Sequence, residues 1–387
     1  MPKKKQKILV AMSGGVDSSV AAALLARAGY DVTGAFMRQW SEPPDLSGVC
    51  AWKKDRRDAL RVAAALGIPL ITLNFEGEYK KWVMTYMFAE YKKGRTPNPD
   101  VLCNKFIKFG VWLKAAQKLG YNKLATGHYA RLRREETRNK KQETNKFVYS
   151  LMEARDKNKD QTYFLHQLTQ KQLKNVLFPI GGYTKTEVRA LAKRFKLPTA
   201  DKAESMGICF VGEVPMKEFL LQKIKPKKGK VVMSGGGVIG EHDGLAFYTI
   251  GQRHLKMQPR TRTVRGKNAE FRIQNSKPLY VIGKNMKKNE LIVGFENDPL
   301  LYKKSVMVKE ISWIGQVPKF PLQCQVRLRH RQPRQNVQLV NNNGKIIMEF
   351  SKAQRAATPG QFAVFYLPRG EALRGKNGEC LGGGVIK

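Results

Sequence analysis

Acidic side chains are scarce in this sequence. Its 387 residues carry 31 Asp and Glu against 71 Lys and Arg, a formal net charge of +40. That shortage of negative charge favours a polyanionic partner, because each phosphate neutralised by a cation releases a condensed counterion. Nucleic acid leads; a basic surface that serves only solubility is the bland alternative. Cysteine is also rare. Cys50, Cys103, Cys209, Cys324 and Cys380 are odd in number and far apart, which excludes a disulfide framework and fits a reducing compartment. No apolar run reaches the roughly 18 residues of a membrane span, and the basic start MPKKKQKILV leads into no long apolar region. The expectation is therefore a cytoplasmic protein, with no membrane segment and no export. Helical repeats and long low-complexity tracts are missing too.

What is present is an alternation. Ile8 to Met12 reads as a buried strand, Ser18 to Ala28 as a helix closed by Gly29, and Val32 to Met37 as a second strand. Asp55 to Leu66 repeats the helical spacing ahead of PLITLNF, and Asn104 to Leu119 precedes KLATGHYARL. Thr184 and Glu187 have capping-box spacing before VRALAKRF. Alternating strands and helices predict an α/β fold with a doubly wound parallel sheet, while the mixed-charge run RREETRNKKQETNK, 133 to 146, reads as a solvated hairpin tip. After Cys209 the texture becomes glycine-rich and β-like past the basic hinge KIKPKKGK, and from about Pro278 short strands recur between turns. Three domains are expected: 1–210 catalytic, 211–277 small, central and β-rich, and 278–387 a C-terminal β-barrel.

The loop after the first strand, SGGVDSS at 13 to 19, also lacks something: lysine. Gly14 and Gly15 permit positive φ and close approach of backbone amides, and Ser18 and Ser19 stand at a helix start, so the loop reads as an anion cradle. Without a lysine it is not the GxxxxGK[ST] loop of phosphoryl-transfer NTPases. It suits release of pyrophosphate and transfer of AMP, with Asp17 available to Mg²⁺. An ordinary strand-to-helix turn is the plain alternative.

Two cysteines sit in bounded settings. GRTPNPDVLCNKFIKFG, 94 to 110, places Cys103 by a helix N-terminus, where a thiol loses its proton more readily. ESMGICFVGE, 204 to 213, presents Cys209 between glycines. A buried structural thiol is the usual fate of either one alone. Asp100 reads as a general acid/base, or else as a turn carboxylate capping the next helix.

SGGVDSS resembles the pyrophosphate loop of the adenylating ATP pyrophosphatases. The cysteine motifs, with FMRQW, ATGHYA, KDQTYFL, GLAFYTIGQR, RLRHRQ, TPGQFAVFY and CLGGGVI, resemble the tRNA-specific 2-thiouridylase family over essentially the whole chain. The resemblance implies that ATP adenylates the C2 oxygen of the wobble uridine at tRNA position 34 and that a persulfide then delivers sulfur to the carbon. It implies that Cys209 carries the persulfide and that Cys103 releases the sulfur, leaving a transient disulfide between them. It maps the nucleotide site onto Ala11, Met12, Ser13, Gly14, Gly15, Val16, Asp17 and Ser18 with Met37 and Gly127. Contacts to the target base fall on Asn98, Pro99 and Asp100, and other tRNA contacts on His128, Lys159, Asp160, Gln161, Arg329, His330 and Gln361. Taken alone, His128 reads as a packed histidine, whereas Arg329 and His330 suit phosphate contact unaided. The target base must leave its stack. ATP and Mg²⁺ are the expected cofactors, the anticodon stem-loop of tRNA and a persulfide sulfur-donor protein the partners, and a monomer the expected state.

The sequence departs from the family at Phe106, Thr162, Met206 and in HLKM after GQR. None of these removes a reacting group. Other readings stay open: an amide-forming or citrulline-ligating pyrophosphatase, which needs no paired cysteines; a tRNA-binding module with a degenerate site; and an iron–sulfur cluster held by Asp100, Cys103 and Cys209, ranked behind the persulfide.

Overall fold

Five strands make the first sheet: β1 (Lys7–Ala11), β2 (Asp31–Arg38), β3 (Leu70–Asn74), β4 (Lys123–Thr126) and β7 (Val176–Leu177). All pair in parallel, in the order β3-β2-β1-β4-β7. The computed structural model describes residues 5–38, 51–139, 144–204, 216–253, 255, 258–259, 277–368 and 378–387.

Ile8, Leu9 and Val10 in β1 have no solvent exposure, as a strand covered on both faces requires. Leu9, Ala35, Met37 and Leu124 pack towards the helical segment 99–118, on one face. Ile8, Val10, Met12 and Ala125 pack on the other, towards α1 (Val16–Arg27), α2 (Ala51–Leu66) and α3 (Lys185–Arg194). The expected doubly wound sheet is therefore present. Because β2 and β4 flank β1 on opposite sides, the strand order reverses at β1, the place where such sheets open a crevice beyond their carboxyl ends.

The capping box at the start of α3 forms as read: Thr184 Oγ1 accepts from the Glu187 amide, and Glu187 accepts from the Thr184 amide at 2.7 Å. Ala130–Asn139 (β5) and Thr144–Glu153 (β6) pair over their full length. Much of the expected hairpin tip is therefore strand; residues 140–143 lie outside the described residues.

The central sheet holds β8 (Gly229–Met233), β9 (Val238–His242), β10 (Gln258–Pro259), β11 (Tyr280–Asn285) and β12 (Glu290–Gly294). Here the sequence reading needs correction. Tyr280–Gly294 was expected beyond the boundary at 278, in the C-terminal domain. Instead β12 lies parallel to β8, and Val231, Val281, Leu291 and Val293 share one core. A parallel pairing joins strands about sixty residues apart and leaves no local hairpin signal.

β13 (Tyr302–Trp313), β14 (Leu322–Arg327), β15 (Gln335–Asn342), β16 (Lys345–Arg355), β17 (Phe362–Tyr366) and β18 (Glu379–Ile386) are antiparallel and close on themselves through β13 and β18. This six-stranded barrel is the expected C-terminal element. Its β18 also pairs with β6 through Cys380 and Leu151, so the catalytic unit and the barrel share hydrogen-bonded backbone. Among the described residues no helix is long and apolar enough to cross a membrane.

Candidate active site

The phosphate loop leaves the carboxyl end of β1 at the reversal point. Gly14 has φ +75°, and a Cβ there would stand 2.2 Å from the Asp55 carbonyl oxygen. At Gly127, just after β4, a Cβ would lie 2.7 Å from the Ser18 amide nitrogen and 2.8 Å from the Asp17 carbonyl carbon. Both glycines are thus required by close backbone approach. Gly15 caps α1 without a side-chain hydrogen bond. Ser18 Oγ accepts from the Ser13 amide at 3.2 Å and donates to the Gly15 carbonyl at 3.1 Å. The result is a turn of backbone amides at the positive end of a twelve-residue helix.

Two lysines distant in sequence serve this lysine-free loop. Lys202 Nζ donates to the Gly14 carbonyl at 3.0 Å, Asp55 Oδ1 at 2.8 Å and Asp58 Oδ2 at 2.6 Å. Burial works against its charge, but the two carboxylates outweigh it and raise its pKa. Lys185 Nζ donates to Asp17 Oδ1 at 2.7 Å, and the Tyr129 hydroxyl donates to the same oxygen at 2.9 Å. Burial, and then the Asp17 charge, push the Tyr129 phenol upward, so it stays a donor. Reading the sequence missed Lys185, Lys202 and Tyr129. The capping box at 184 to 187 fixed where Lys185 stands on a helix, but nothing local says which loop it reaches. Among the described residues no group of three His, Cys, Asp or Glu could hold a metal ion.

Cys103 lies on the opposite face of the sheet, 1 % exposed, in the same apolar cluster as Met37 and Leu9. Its setting differs from the expected loop. Asn98 accepts from the Val101 amide at 3.4 Å, Pro99 takes the first helical position, and Asp100 lies in the first turn. An Asn-Pro cap of this kind starts the helix at Pro99, earlier than Asn104. Cys103 then begins a ten-residue π-helical stretch, Cys103–Trp112, a distortion found often at functional sites. The helix dipole acts mainly on the first turn, so Asp100 stands closer to it than Cys103 does. Cys209, Met206 and the segment around them lie outside the described residues, as do Cys50 and most of HLKM. Cys324 is buried in the barrel core and Cys380, on β18, in the core it shares with Leu151 and Tyr163; burial raises both thiols, Cys324 to about 12.

The segment carrying Asn98 is held from three sides. Gln361 donates to the Thr96 carbonyl at 3.0 Å and the Pro97 carbonyl at 3.3 Å, and accepts from Asn98 at 3.5 Å. Thr96 meets Thr249 of the central unit at 3.1 Å, and Lys284 donates to the Gly94 carbonyl at 2.7 Å. Burial lowers Lys284 to about 8. In this structure Gln361 is thus a brace of the loop.

Several residues expected to meet tRNA are engaged within the protein. Asp160 is 1 % exposed. Its Oδ1 accepts from the Ala154 amide at 3.0 Å, and its Oδ2 accepts from Thr162 at 2.8 Å and Arg327 at 2.7 Å. A carboxylate so enclosed is an anchor between the catalytic unit and the barrel, because a buried charge must be paired. The Thr162 hydroxyl also lies 3.2 Å from that of Tyr366. His128 is buried between Phe109 and Phe178 and bonded to Thr126 at 2.8 Å; burial, then Lys108, holds its pKa well below the usual range. His330 bonds the Asp160 carbonyl at 3.1 Å and packs on Phe164, with ring centroids 4.5 Å apart. Arg329 donates to Ile250 at 3.1 Å and Ala356 at 3.0 Å, tying the central unit to the barrel. Gln161 accepts from the Tyr129 amide at 2.9 Å, and Lys159 pairs with Glu204 at 2.6 Å. Phe106 stacks on Trp82, with centroids 5.3 Å apart.

Three family models cover the chain in series. Residues 6–213 match the tRNA methyl transferase HUP domain, 217–295 the tRNA methyl transferase PRC-barrel domain, and 303–386 the Aminomethyltransferase beta-barrel domain. The tRNA-specific 2-thiouridylase MnmA of Limosilactobacillus reuteri is 44 % identical over 388 residues, spanning 98 % of this chain and 95 % of that protein. This chain belongs to the tRNA-specific 2-thiouridylase family. A further 2-thiouridylase, from Geobacillus thermodenitrificans, is 44 % identical over 386 residues, covering 98 % of this chain and 94 % of its own. A remote likeness, TM-score 0.33 at 20 % identity, links 56 % of this 2-thiouridylase-family chain to half of a 4-thiouridine synthetase solved with RNA and ATP.

Proposed function

We infer that this protein forms 2-thiouridine at the wobble position of tRNA, using ATP to activate the base and a cysteine persulfide to thiolate it. The observation that carries the reading is the placement of a lysine-free anion nest at the reversal point of the sheet, with Cys103 under the opposite face of the same strands. Ala11 to Ser18, Met37 and Gly127 would hold ATP. Asp17, with the nucleotide's own phosphates, suffices for Mg²⁺, which needs only one or two protein carboxylates. The ion, when bound, neutralises charge on the departing pyrophosphate.

The C2 oxygen of the uridine bonds to the α-phosphorus, pyrophosphate leaves with the electron pair, and the N3 proton passes to a base, the role proposed for Asp100. The terminal sulfur of the Cys209 persulfide then attacks C2 and AMP departs. Cys103 thiolate attacks the Cys209 sulfur, forming the disulfide and leaving sulfur on the base; an external thiol reduces the pair. Asn98 and Pro99 would flank the extruded base. The charge of +40 supports a phosphate-rich partner, and among the tRNA contacts expected, Lys159 is the cation that would serve it. The persulfide is supplied by a donor protein.

The test is mass analysis of tRNA incubated with protein, ATP, Mg²⁺ and a persulfide source, with pyrophosphate measured alongside. Cys209→Ser is expected to release pyrophosphate yet form no 2-thiouridine. Thiolation that survives this change overturns the persulfide route, and a tRNA-independent pyrophosphate release overturns the substrate.

A further inference from the structure

We propose that Lys185 is the phosphate-binding lysine of this site: it supplies from α3 the cation that the phosphate loop lacks and holds the pyrophosphate leaving group. The inference rests on the function proposed above and assigns a residue to its first step.

Two lysines reach the loop, and they differ in what they can do. The three hydrogens of Lys202 meet three fixed acceptors: the Gly14 carbonyl, Asp55 and Asp58. An ammonium has three donors, so Lys202 is saturated and serves to hold Gly14 in place. Among the described residues Lys185 meets no backbone acceptor: it pairs with two carboxylates, Asp17 at 2.7 Å and Glu204 at 3.6 Å, and stands over the Tyr129 ring, 6.0 Å from its centroid. Each carboxylate can turn elsewhere. Glu204 is already paired with Lys159 at 2.6 Å, and Asp17 keeps the Tyr129 hydroxyl at 2.9 Å.

The backbone of Lys185 is rigidly placed. It follows the Thr184 cap, and its amide donates to Asp156 at 2.9 Å. Its side chain is 13 % exposed, beside a residue of the first turn of α1. A nucleotide whose phosphates fill the nest would bring negative charge to the end of α1, where Asp17 would be the carboxylate available to an accompanying Mg²⁺. Lys185 then exchanges one anion for another within reach of its four-carbon stem. As the bond between the α-phosphorus and the bridging oxygen breaks, the electron pair goes to pyrophosphate, and the Lys185 ammonium donates to the oxygens that gain it. No proton is transferred in that contact.

The experiment measures tRNA-dependent pyrophosphate release, and product inhibition by pyrophosphate and by AMP, in wild type, Lys185→Gln and Lys185→Arg. A charge-assisted hydrogen bond to phosphate is worth roughly ten- to a hundredfold. Lys185→Gln is expected to slow release by that factor and to weaken inhibition by pyrophosphate by about tenfold or more, with inhibition by AMP unchanged. A structural role would move both inhibitors together or neither, and either result overturns the assignment. Lys185→Arg keeps the charge beside Asp17 and guards against a Gln variant that fails to fold. It is expected to retain release within about tenfold of wild type; a folded Arg variant as slow as a buffer blank overturns the proposal. If wild type releases no pyrophosphate with tRNA, the function proposed above fails, and this assignment falls with it for that separate reason.

Discussion

Asp160→Asn separates two roles for one residue. As a surface contact to tRNA, Asp160 would affect affinity and leave stability alone. Its surroundings dictate the opposite. The side chain is fully buried, with Arg327 at 2.7 Å, Thr162 at 2.8 Å and the Ala154 amide at 3.0 Å. The amide that replaces it keeps the shape but removes the charge and turns one acceptor into a donor that faces Arg327. Removing one partner of a buried pair costs about 3–5 kcal/mol. Arg327 keeps Glu153 at 3.1 Å, which places the expected loss at the lower end, about 3 kcal/mol. For a unit of 150–250 residues that corresponds to a fall in Tm of about 6–12 °C. The assay is thermal unfolding followed by calorimetry or circular dichroism, beside filter binding of tRNA across a salt series. The expected result is a lowered Tm with an unchanged salt slope, since no phosphate contact is lost. A Tm within about a degree of wild type together with weaker tRNA binding would refute the reasoning.

Other outcomes follow from the same geometry. Gly127→Ala places a methyl 2.7 Å from the Ser18 amide; it should cost about 1–3 kcal/mol and weaken ATP binding, which isothermal titration would detect. Asn98→Ala removes the cap of the helix that carries Cys103. A loss of about 1 kcal/mol and a slower thiolation than adenylation step are expected, and equal slowing of both would count against the placement of Cys103. Stability should also fall on acidification. Burial holds the His166 ring neutral, with its pKa lowered to about 4. A histidine depressed in the folded state gives its full contribution above about 6.5 and loses it as pH falls towards the folded value, up to about 3 kcal/mol by pH 4. Glu153, which burial raises but Arg334, Lys157 and Arg327 lower overall, adds a further loss below the ordinary glutamate range. A Tm that is flat from pH 7 to pH 4 would contradict the histidine account, and one that falls no further below pH 4 the glutamate account.

Much of the site was legible in the residues because its signals are local. SGGVDSS follows an apolar run and opens a helix, so the nest at the strand end could be placed from five or six neighbours. The Thr184 and Glu187 pair likewise declares its helix within four residues. Cys103 was found but mis-set, because Asn98 and Pro99 were weighed as loop residues when together they cap a helix. Asp160, His330 and Arg329 carry charge in a basic chain and so read as a surface. Their partners lie on other elements: Asp160 meets Arg327 on β14 and the His330 ring across 167 and 170 residues, and Arg329 meets Ile250 of the central unit and Ala356 after β16.

The sequence by itself determined the alternating α/β pattern, the lysine-free anion nest and the β-rich character of the last third, since each depends on spacing over a few residues. The tertiary structure alone decided which lysines lie beside the nest, which strands join the central sheet, and which charges face inward. Lys185 meets Asp17 across 168 residues, and β8 meets β12 in parallel. Such contacts form only when a sheet and its crossovers close, because the energy that fixes them comes from burial and pairing between elements that no local pattern brings together.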